Sequence, residues 1–338
     1  MQFNIGKAGL QSAAEEFMKI FYVNPPIYDR LTAVLIEGLN ELGHEVWCSE
    51  ESNYGRAVAE PALRDYAEAA DLIVVGSGRG VRTHLLQGVE NPKLVFVDGS
   101  EYQKLSPTGG IRYQAVFKRE LCPLSAAAKV DGVLPLPLAA ERRYFTSPTI
   151  EKNILVSFIA NMDTNPLRYS IHERLYSKGN PLILTGSTGE PAKNSVPGGL
   201  PLDTPAYRTL LARSLISVNV PGASYDCPRY WEIPAAGALL FTYRPDVAIP
   251  DNFADGVNCV MFGSLEEFND KLEYYTTHLE VAGKLAVRGY QHVLEHHTSA
   301  CRAAYFLRHA RAAVAQPEYC TSLLPPEIRQ GANAGVAL

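Results

Sequence analysis

The stretch of this 338-residue chain richest in groups that could do chemistry runs Pro221-Gly222-Ala223-Ser224-Tyr225-Asp226-Cys227-Pro228-Arg229-Tyr230-Trp231-Glu232. It joins a predicted strand, Ile216 to Val220, to a predicted helix, Arg229 to Ala236, so Glu232 falls in the first turns of that helix. Backbone N–H groups at a helix start can hold phosphate, Arg229 adds a fixed positive charge, and Glu232 can accept hydrogen bonds from ribose hydroxyls. Those are the groups that a nucleoside diphosphate needs. The plainer use of the same residues is a carboxylate that satisfies the helix dipole and pairs with Arg229.

Three other patterns invite a chemical reading and are better explained by structure. Gly76-Ser77-Gly78-Arg79-Gly80 follows a predicted strand but does not complete G-x-G-x-x-G, nor does it occupy the first turn of its domain, so a flexible turn is expected. A nicotinamide-dependent oxidoreductase would rest on that incomplete run alone. His292-Val293-Leu294-Glu295-His296 spells the H-x-x-E-H order of some zinc peptidases, yet no independent motif places a third ligand, and a solvated or partly packed helix face accounts for it. Arg302, Arg308 and Arg311 are interleaved with Ala and Leu, as in an amphipathic helix packing across two domains rather than an anion stripe.

The elements that must position the first stretch are those of an α/β protein. An apolar run Ile20 to Val23, a Pro-containing loop, a helix Arg30 to Leu42 stopped by Gly43 and a strand His44 to Trp47 make a βαβ unit. Leu72 to Val75 and Leu94 to Val97 read as further buried strands, with a short helical stretch at Thr83 to Gln87 between them. The extended stretch Val133 to Leu138 and Ser147-Pro148 mark a boundary. Beyond it the alternation restarts: strand Ile154 to Ile159, helix Pro166 to Ser177, strand Leu182 to Leu184, a loop Gly186 to Thr204, helix Tyr207 to Arg213, then the strand and helix described first and strand Leu239 to Thr242. Ser264-Leu265-Glu266-Glu267 is a capping box for a helix with Leu265, Phe268, Leu272 and Tyr275 on one face. The expected organisation is an appendage 1–17, a Rossmann-like domain 18–150, a second Rossmann-like domain 151–315 with terminal helices, and a tail 316–338. Two such domains face a cleft, where open sheets of this class bind ligands.

Composition agrees with a folded chain and narrows its partners. Apolar residues make up 46% and charged residues 20%, with a net charge of -5, so no global basic field draws in nucleic acid. Six scattered Cys without a C-x-x-C pair argue against a disulfide framework and fit a reducing cytoplasm. No apolar stretch of signal-peptide length occurs in Met1 to Phe17, and no window of about 18 uninterrupted apolar residues exists, so neither export by that route nor a spanning helix is expected.

Arg229-Tyr230-Trp231-Glu232-Ile233-Pro234-Ala235-Ala236-Gly237 resembles the stretch of GT-B glycosyltransferases in which an acidic residue precedes a small-residue helix end, and in particular the CgeB-like family. Phe158-Ile159-Ala160-Asn161 with Pro166-Leu167-Arg168, Val97-Asp98-Gly99, Phe117-Lys118-Arg119-Glu120, Asp255-Gly256-Val257-Asn258 and Val293-Leu294-Glu295-His296-His297-Thr298 extend the resemblance over nearly the whole chain from Ile20. It implies sugar transfer from a nucleotide-diphosphate donor. The donor site would draw on Asn161, Arg168, Tyr225, Asp226, Arg229, Tyr230 and Glu232, with Glu232 on the ribose and Arg168 and Arg229 neutralising the diphosphate. The acceptor would be a glycan, a lipid-linked glycan, a protein or a modified nucleic acid.

Many retaining members carry a second glutamate eight positions before the one matching Glu232; here Ser224 stands there, with Asp226 as a substitute two residues on. That departure also admits a non-catalytic sugar-nucleotide or glycan binder. No Asp-x-Asp occurs, so neutralisation by Arg and helix N-termini is expected, with no metal or other cofactor. An inverting route needs a base for the acceptor hydroxyl, and Asp98, at the end of a predicted strand, is the candidate, with Glu101 behind it. An Asp that simply forms the turn before Gly99 fits the sequence as well.

Overall fold

The structure is a computed structural model and describes residues 16–51, 56–89, 93–108, 110–147, 150–188, 200–202 and 204–315. Residues 1–15 of the expected appendage, most of the Gly186 to Thr204 loop and the tail lie outside these residues. The chain divides into two compact units, one made of Met1–Leu138, Val247–Pro250 and Ser299–Leu338, the other of Ala139–Asp246 and Asp251–Thr298.

The first unit is built on a seven-stranded sheet of β1 (Lys19–Val23), β2 (Glu45–Cys48), β3 (Arg56–Ala57), β4 (Leu72–Gly76), β5 (Leu94–Asp98), β6 (Ala115–Lys118) and β7 (Val133–Pro135). The order is β3-β2-β1-β4-β5-β6-β7 and every pairing is parallel. Parallel sheets are covered on both faces, which is why β4 is apolar throughout and fully buried rather than alternating. Helix α1 (Arg30–Glu41) starts where the Asp29 carboxylate accepts the Thr32 N–H at 2.8 Å and stops before Gly43, whose φ of 86° is left-handed. Helix α2 (Leu63–Ala69) buries Leu63 and Ala67 in the core with Phe21, Ile73 and Phe96. The segment expected as a short helix after β4 is a 3-10 turn, Thr83–Leu86.

The second unit repeats the design with six strands, β8 (Ile154–Ile159), β9 (Ile183–Thr188), β10 (Leu200–Leu202), β11 (Ser214–Asn219), β12 (Leu239–Tyr243) and β13 (Val260–Phe262), ordered β10-β9-β8-β11-β12-β13 and all parallel. Its helices are α3 (Pro166–Tyr176), α4 (Thr204–Arg213), α5 (Pro228–Ala235), α6 (Leu265–Thr277) and α7 (Leu279–His296). One sheet face is apolar, with Val156, Phe158, Ile216, Val218, Leu239, Phe241, Val260 and Phe262 packed on Ile171 and Leu175 of α3, Phe268 and Leu272 of α6 and Leu285 of α7. Period-two alternation turns Ser157 and Ser217 the other way, where their hydroxyls bond at 3.0 Å. Ser264 caps α6 as expected, its hydroxyl accepting the Glu267 N–H at 3.1 Å, while the Glu267 carboxylate accepts the Gly263 N–H at 2.7 Å.

The last described helix, α8 (Ser299–Ala315), belongs with the first unit, whereas α6 and α7 belong with the second. The second unit therefore starts at Ala139 rather than after residue 150, and it ends at Thr298 rather than near 315. Helix α8 packs along α1, and Phe306 meets Phe117 of β6 with ring centroids 4.8 Å apart. Gly38 makes the helix contact possible: a Cβ there would lie 2.0 Å from the Ser299 carbonyl oxygen and 2.8 Å from Ala303 Cβ. Gly38→Ala should destabilise the protein by about 3 kcal/mol, the upper end for overpacking, because the obstacle is main chain and cannot rotate away. Chemical denaturation of the variant beside the parent measures it, and an unchanged midpoint would refute the tight crossing.

Cysteines 48, 227 and 259 are buried free thiols. Burial pushes Cys48 from an ordinary value of 9.0 up to about 12. A thiol that keeps its proton in the folded state contributes stability that is complete below pH 9 and is lost as the pH rises towards that raised value. One and a half pH units above the free-thiol value the loss is about 2 kcal/mol, so Cys48→Ala should show a shallower alkaline decline in melting temperature than the parent. Parallel declines would contradict this placement. Among the described residues no helix is long and apolar enough to cross a membrane.

Candidate functional site

In an open parallel sheet the ligand crevice lies beyond the carboxyl ends of the two strands whose connections leave in opposite directions. In the second unit those strands are β8, which leads through α3 to β9, and β11, which leads through α5 to β12. The segments just beyond them are 160–165 and 220–227, and they hold most of the residues singled out from the sequence.

Arg168, buried on α3, ties the two segments together. Its Nε donates to Pro221 O at 2.9 Å, Nη2 to Val220 O at 3.2 Å and to Cys227 Sγ at 3.7 Å, and Nη1 to Asn161 O and Thr164 Oγ1. A planar fork with five N–H donors can do this, whereas an ammonium cannot. The close approach requires glycine at 222, where a Cβ would stand 2.8 Å from Arg168 Nη2. Asn165 caps α3 by accepting the Leu167 N–H at 3.0 Å, and its amide donates to Gly222 O at 3.3 Å. Gly222 N–H and the Ser224 and Val220 carbonyls close on the Cys227 thiol.

Arg229, half-buried on the first turn of α5, donates from Nη2 to Val220 O at 2.9 Å. Two guanidinium groups thus converge on one carbonyl oxygen. The Nε of Arg229 and the Oδ1 of Asn219, the last residue of β11, are enclosed and have no hydrogen-bond partner among the described residues. Glu232 is buried one turn further along α5 and accepts the Tyr207 hydroxyl proton at 2.9 Å. Burial, and next the Glu232 charge, push the Tyr207 phenol well above 10, while the Arg229 charge pulls it down, which places Arg229 within electrostatic reach of the same pair.

The fold brings Asn161, Arg168, Arg229 and Glu232 to this end of the sheet, with Tyr225 half-buried in the loop between. Asn161 contributes its carbonyl to Arg168 and its side chain to the Asp163 N–H at 3.1 Å. Asp226 and Tyr230 are instead buried and engaged in packing. Asp226 accepts the Trp231 indole N–H at 2.8 Å, and Tyr230 donates to Asn252 Oδ1 at 2.6 Å. Ser224, where a second carboxylate was sought, is buried. Sequence reasoning missed Tyr207, Thr164, Asn219 and Gly222; only the Pro-Gly pair directly after a strand signals a close approach.

Asp98, in the first unit, ends β5 and is fully buried. Its carboxylate accepts the Ser100 N–H (3.1 Å), the Ser106 N–H (2.7 Å) and the Ser106 hydroxyl (2.8 Å), and faces the equally buried Lys118 ammonium of β6 at 3.4 Å. Lys118 also donates to the Ser100 carbonyl and hydroxyl at 2.9 Å each. Burial lowers the Lys118 pKa and the Asp98 charge opposes that shift. This is a clamp on the loop after β5. Glu101 is exposed and pairs with Arg119 at 3.5 Å.

The Gly76–Gly80 run turns at Gly78 (φ 142°) and Gly80 (φ 79°) against Pro25 and Pro26. Of the histidine motif, His292 donates from Nε2 to Asp251 O at 2.7 Å, an oxygen that also accepts from His297 Nε2 at 2.8 Å. Among the described residues no three His, Cys, Asp or Glu side chains are grouped to hold a metal ion. Arg302 is buried and donates to Leu138 O at 3.1 Å, so the late arginines form no exposed stripe.

Residues 168–308 match the sequence profile of the family described as "Glycosyl transferase-like", somewhat less than half of the chain. No curated protein sequence matches the chain. Among solved structures, a glycosyltransferase from Rickettsia africae is similar over 87% of this chain and 98% of its own, with TM-score 0.61 and 13% identity. HepE of Anabaena, in complex with UDP-glucose, is similar over 87% and 100%, with TM-score 0.60 and 12% identity. An alpha-glucosyltransferase in complex with UDP-glucose and DNA containing an abasic site is similar over 89% and 100%, with TM-score 0.59 and 12% identity. The chain therefore has the two-sheet α/β fold of GT-B glycosyltransferases, and Arg168, Arg229 and Glu232 fall within the part that matches the glycosyl transferase-like profile.

Proposed function

We propose that the chain transfers a sugar from a nucleotide-diphosphate donor bound by the second unit, without a metal. The observation that carries this reading is the convergence of the Arg168 and Arg229 guanidinium groups on the Val220 carbonyl at the carboxyl ends of β8 and β11. Two like charges held this close repel, and an anion of two or more negative charges relieves them. A diphosphate is such an anion, and the start of α5 adds main-chain N–H groups. When the bond from the anomeric carbon to the diphosphate breaks, its electron pair goes to the phosphate oxygen. Positive charge fixed beforehand at that oxygen stabilises the leaving group. Arg168, whose donors are taken up by the loops, acts chiefly through its charge and by holding those loops; the Nε–H of Arg229 has no partner among the described residues. Glu232 takes the ribose hydroxyls.

Within this class we place the chain nearest the CgeB-like transferases, on the Arg229–Gly237 stretch. Six scattered cysteines without a C-x-x-C pair fit a reducing cytoplasm. A non-catalytic sugar-nucleotide binder is the second reading, favoured by the buried Ser224 in place of a second carboxylate. Release of nucleoside diphosphate from a nucleotide sugar separates the two.

The donor site is tested by a thermal-shift screen against UDP, GDP, ADP, TDP and CMP and their common sugars, with and without divalent metal. UDP-glucose is the first to try, because two fold relatives hold it. At a hundred times its dissociation constant a ligand stabilises by about 2.7 kcal/mol. Stabilisation by one diphosphate series without metal is expected. Stabilisation only with metal would overturn the metal-free reading, and none at all would overturn the donor site.

A further inference from the structure

Glu232 does not stand alone in its pocket. Its Oε2 accepts the hydroxyl proton of Tyr207 at 2.9 Å, across two different helices, α5 and α4, and both side chains are buried. Tyr207 is itself held: the ring of Tyr144, also buried, meets it edge-on with centroids 6.5 Å apart and planes at 73°. We propose that Tyr207 is a positioning residue for the donor ribose, acting through Glu232 by fixing the plane of its carboxylate from α4.

The inference rests on the donor-site reading above. A carboxylate on a long side chain can rotate about its last bond, so its lone pairs point in no particular direction unless one oxygen is tied. It has about four acceptor positions, of which the phenol takes one, and fixing that one sets the directions of the rest. Burial and the adjacent negative charge keep the phenol protonated far above neutral pH, so it remains a donor throughout the working range. In the donor-site reading Glu232 is the group that takes the ribose hydroxyls. The tie therefore concerns the hydroxyls of the ligand and not its phosphates, which the arginines meet.

The test compares UDP, GDP and ADP with their dideoxy counterparts, which lack both ribose hydroxyls, by calorimetry on the full chain. For whichever base binds, the parent protein should prefer the ribose form by about tenfold or more, the equivalent of one charge-assisted hydrogen bond. Tyr207→Phe should cut that preference to about threefold or less and leave the dideoxy affinity unchanged. A merely structural tyrosine would lower both affinities together, and that result, or an unchanged preference, overturns the proposal. In a Glu232→Gln background, Tyr207→Phe should add nothing further; a second drop equal to that in the parent would show that the hydroxyl does not act through Glu232. If Tyr207→Phe fails to fold, the hydroxyl belongs to stability and the proposal fails. Should no nucleoside diphosphate bind the parent protein, the donor-site reading fails first, an outcome distinct from each of these.

Discussion

Glu232→Ala should yield a folded protein with nucleoside diphosphate affinity, and with it the rate of nucleotide release from the matching sugar donor, reduced about tenfold or more, as expected for losing a charge-assisted hydrogen bond. The fold should survive because the substitution removes a buried charge together with its demand for partners, leaving Tyr207 with one unpaired hydroxyl, a cost of about 1–3 kcal/mol. Glu295→Ala is the matched control. That carboxylate is 69% exposed and lies 3.7 Å from His296 Nε2, a solvent-screened contact, so neither binding nor turnover should change. Calorimetry with the best-binding diphosphate reads the first effect directly. Undiminished binding in Glu232→Ala would move the ribose contact elsewhere in the second unit.

Asp98→Ala should behave in the opposite way, destabilising the protein by about 3–5 kcal/mol, because it leaves the Lys118 ammonium buried without its carboxylate. The loop after β5 would also lose the three hydrogen bonds that Ser100 and Ser106 give to Asp98. Unfolding curves in denaturant measure this effect with no substrate present. A catalytic base free of structural duty would show the reverse pattern, a normal unfolding midpoint with turnover lost. Four partners and complete burial favour the first outcome, since a base must reach the proton it removes.

The parts of the fold that were legible in the sequence are those whose signal is local. The runs at β1, β4 and β5 are apolar because both sheet faces are covered, and Gly43, Gly179 and Gly237, all at positive φ, mark helix ends as their positions suggested. Less visible were β6 and β7. The first ends in Lys118, a residue that belongs in a buried strand only because Asp98 waits on the neighbouring one, and the second ends in Pro135. At β3, Arg56 and Ala57 are both exposed, so no burial pattern announces a strand. Helix α2 has no side-chain cap to mark its start. The return of α8 to the first unit is a long-range fact that periodicity does not carry.

The site divides along the same line. Arg229 and Glu232 share one helix with a Pro-bounded start, and their types alone suggested an anion and a hydroxyl. Arg168 was expected at the diphosphate, and what it does with its five donors depends on carbonyls more than fifty residues away. Tyr207 sits on a helix that nothing local connects to Glu232. Such pairings arise when separate elements dock, and a single sequence holds no trace of which helix face meets which.

The first unit is not one continuous stretch of chain. Its sheet and α1 come from the beginning, a four-residue segment, Val247–Pro250, hydrogen-bonds back through Ala248 to Leu121, and α8 arrives after the whole of the second unit has been made. During synthesis the ribosome therefore releases the second unit's complete sheet before the first unit can cover the α1 surface around Gly38 and Leu39. Cutting the gene after residue 138 would not isolate a finished half, because the fragment would lack the helix that shields that surface from water. The two halves are products of a single chain whose first part is completed last.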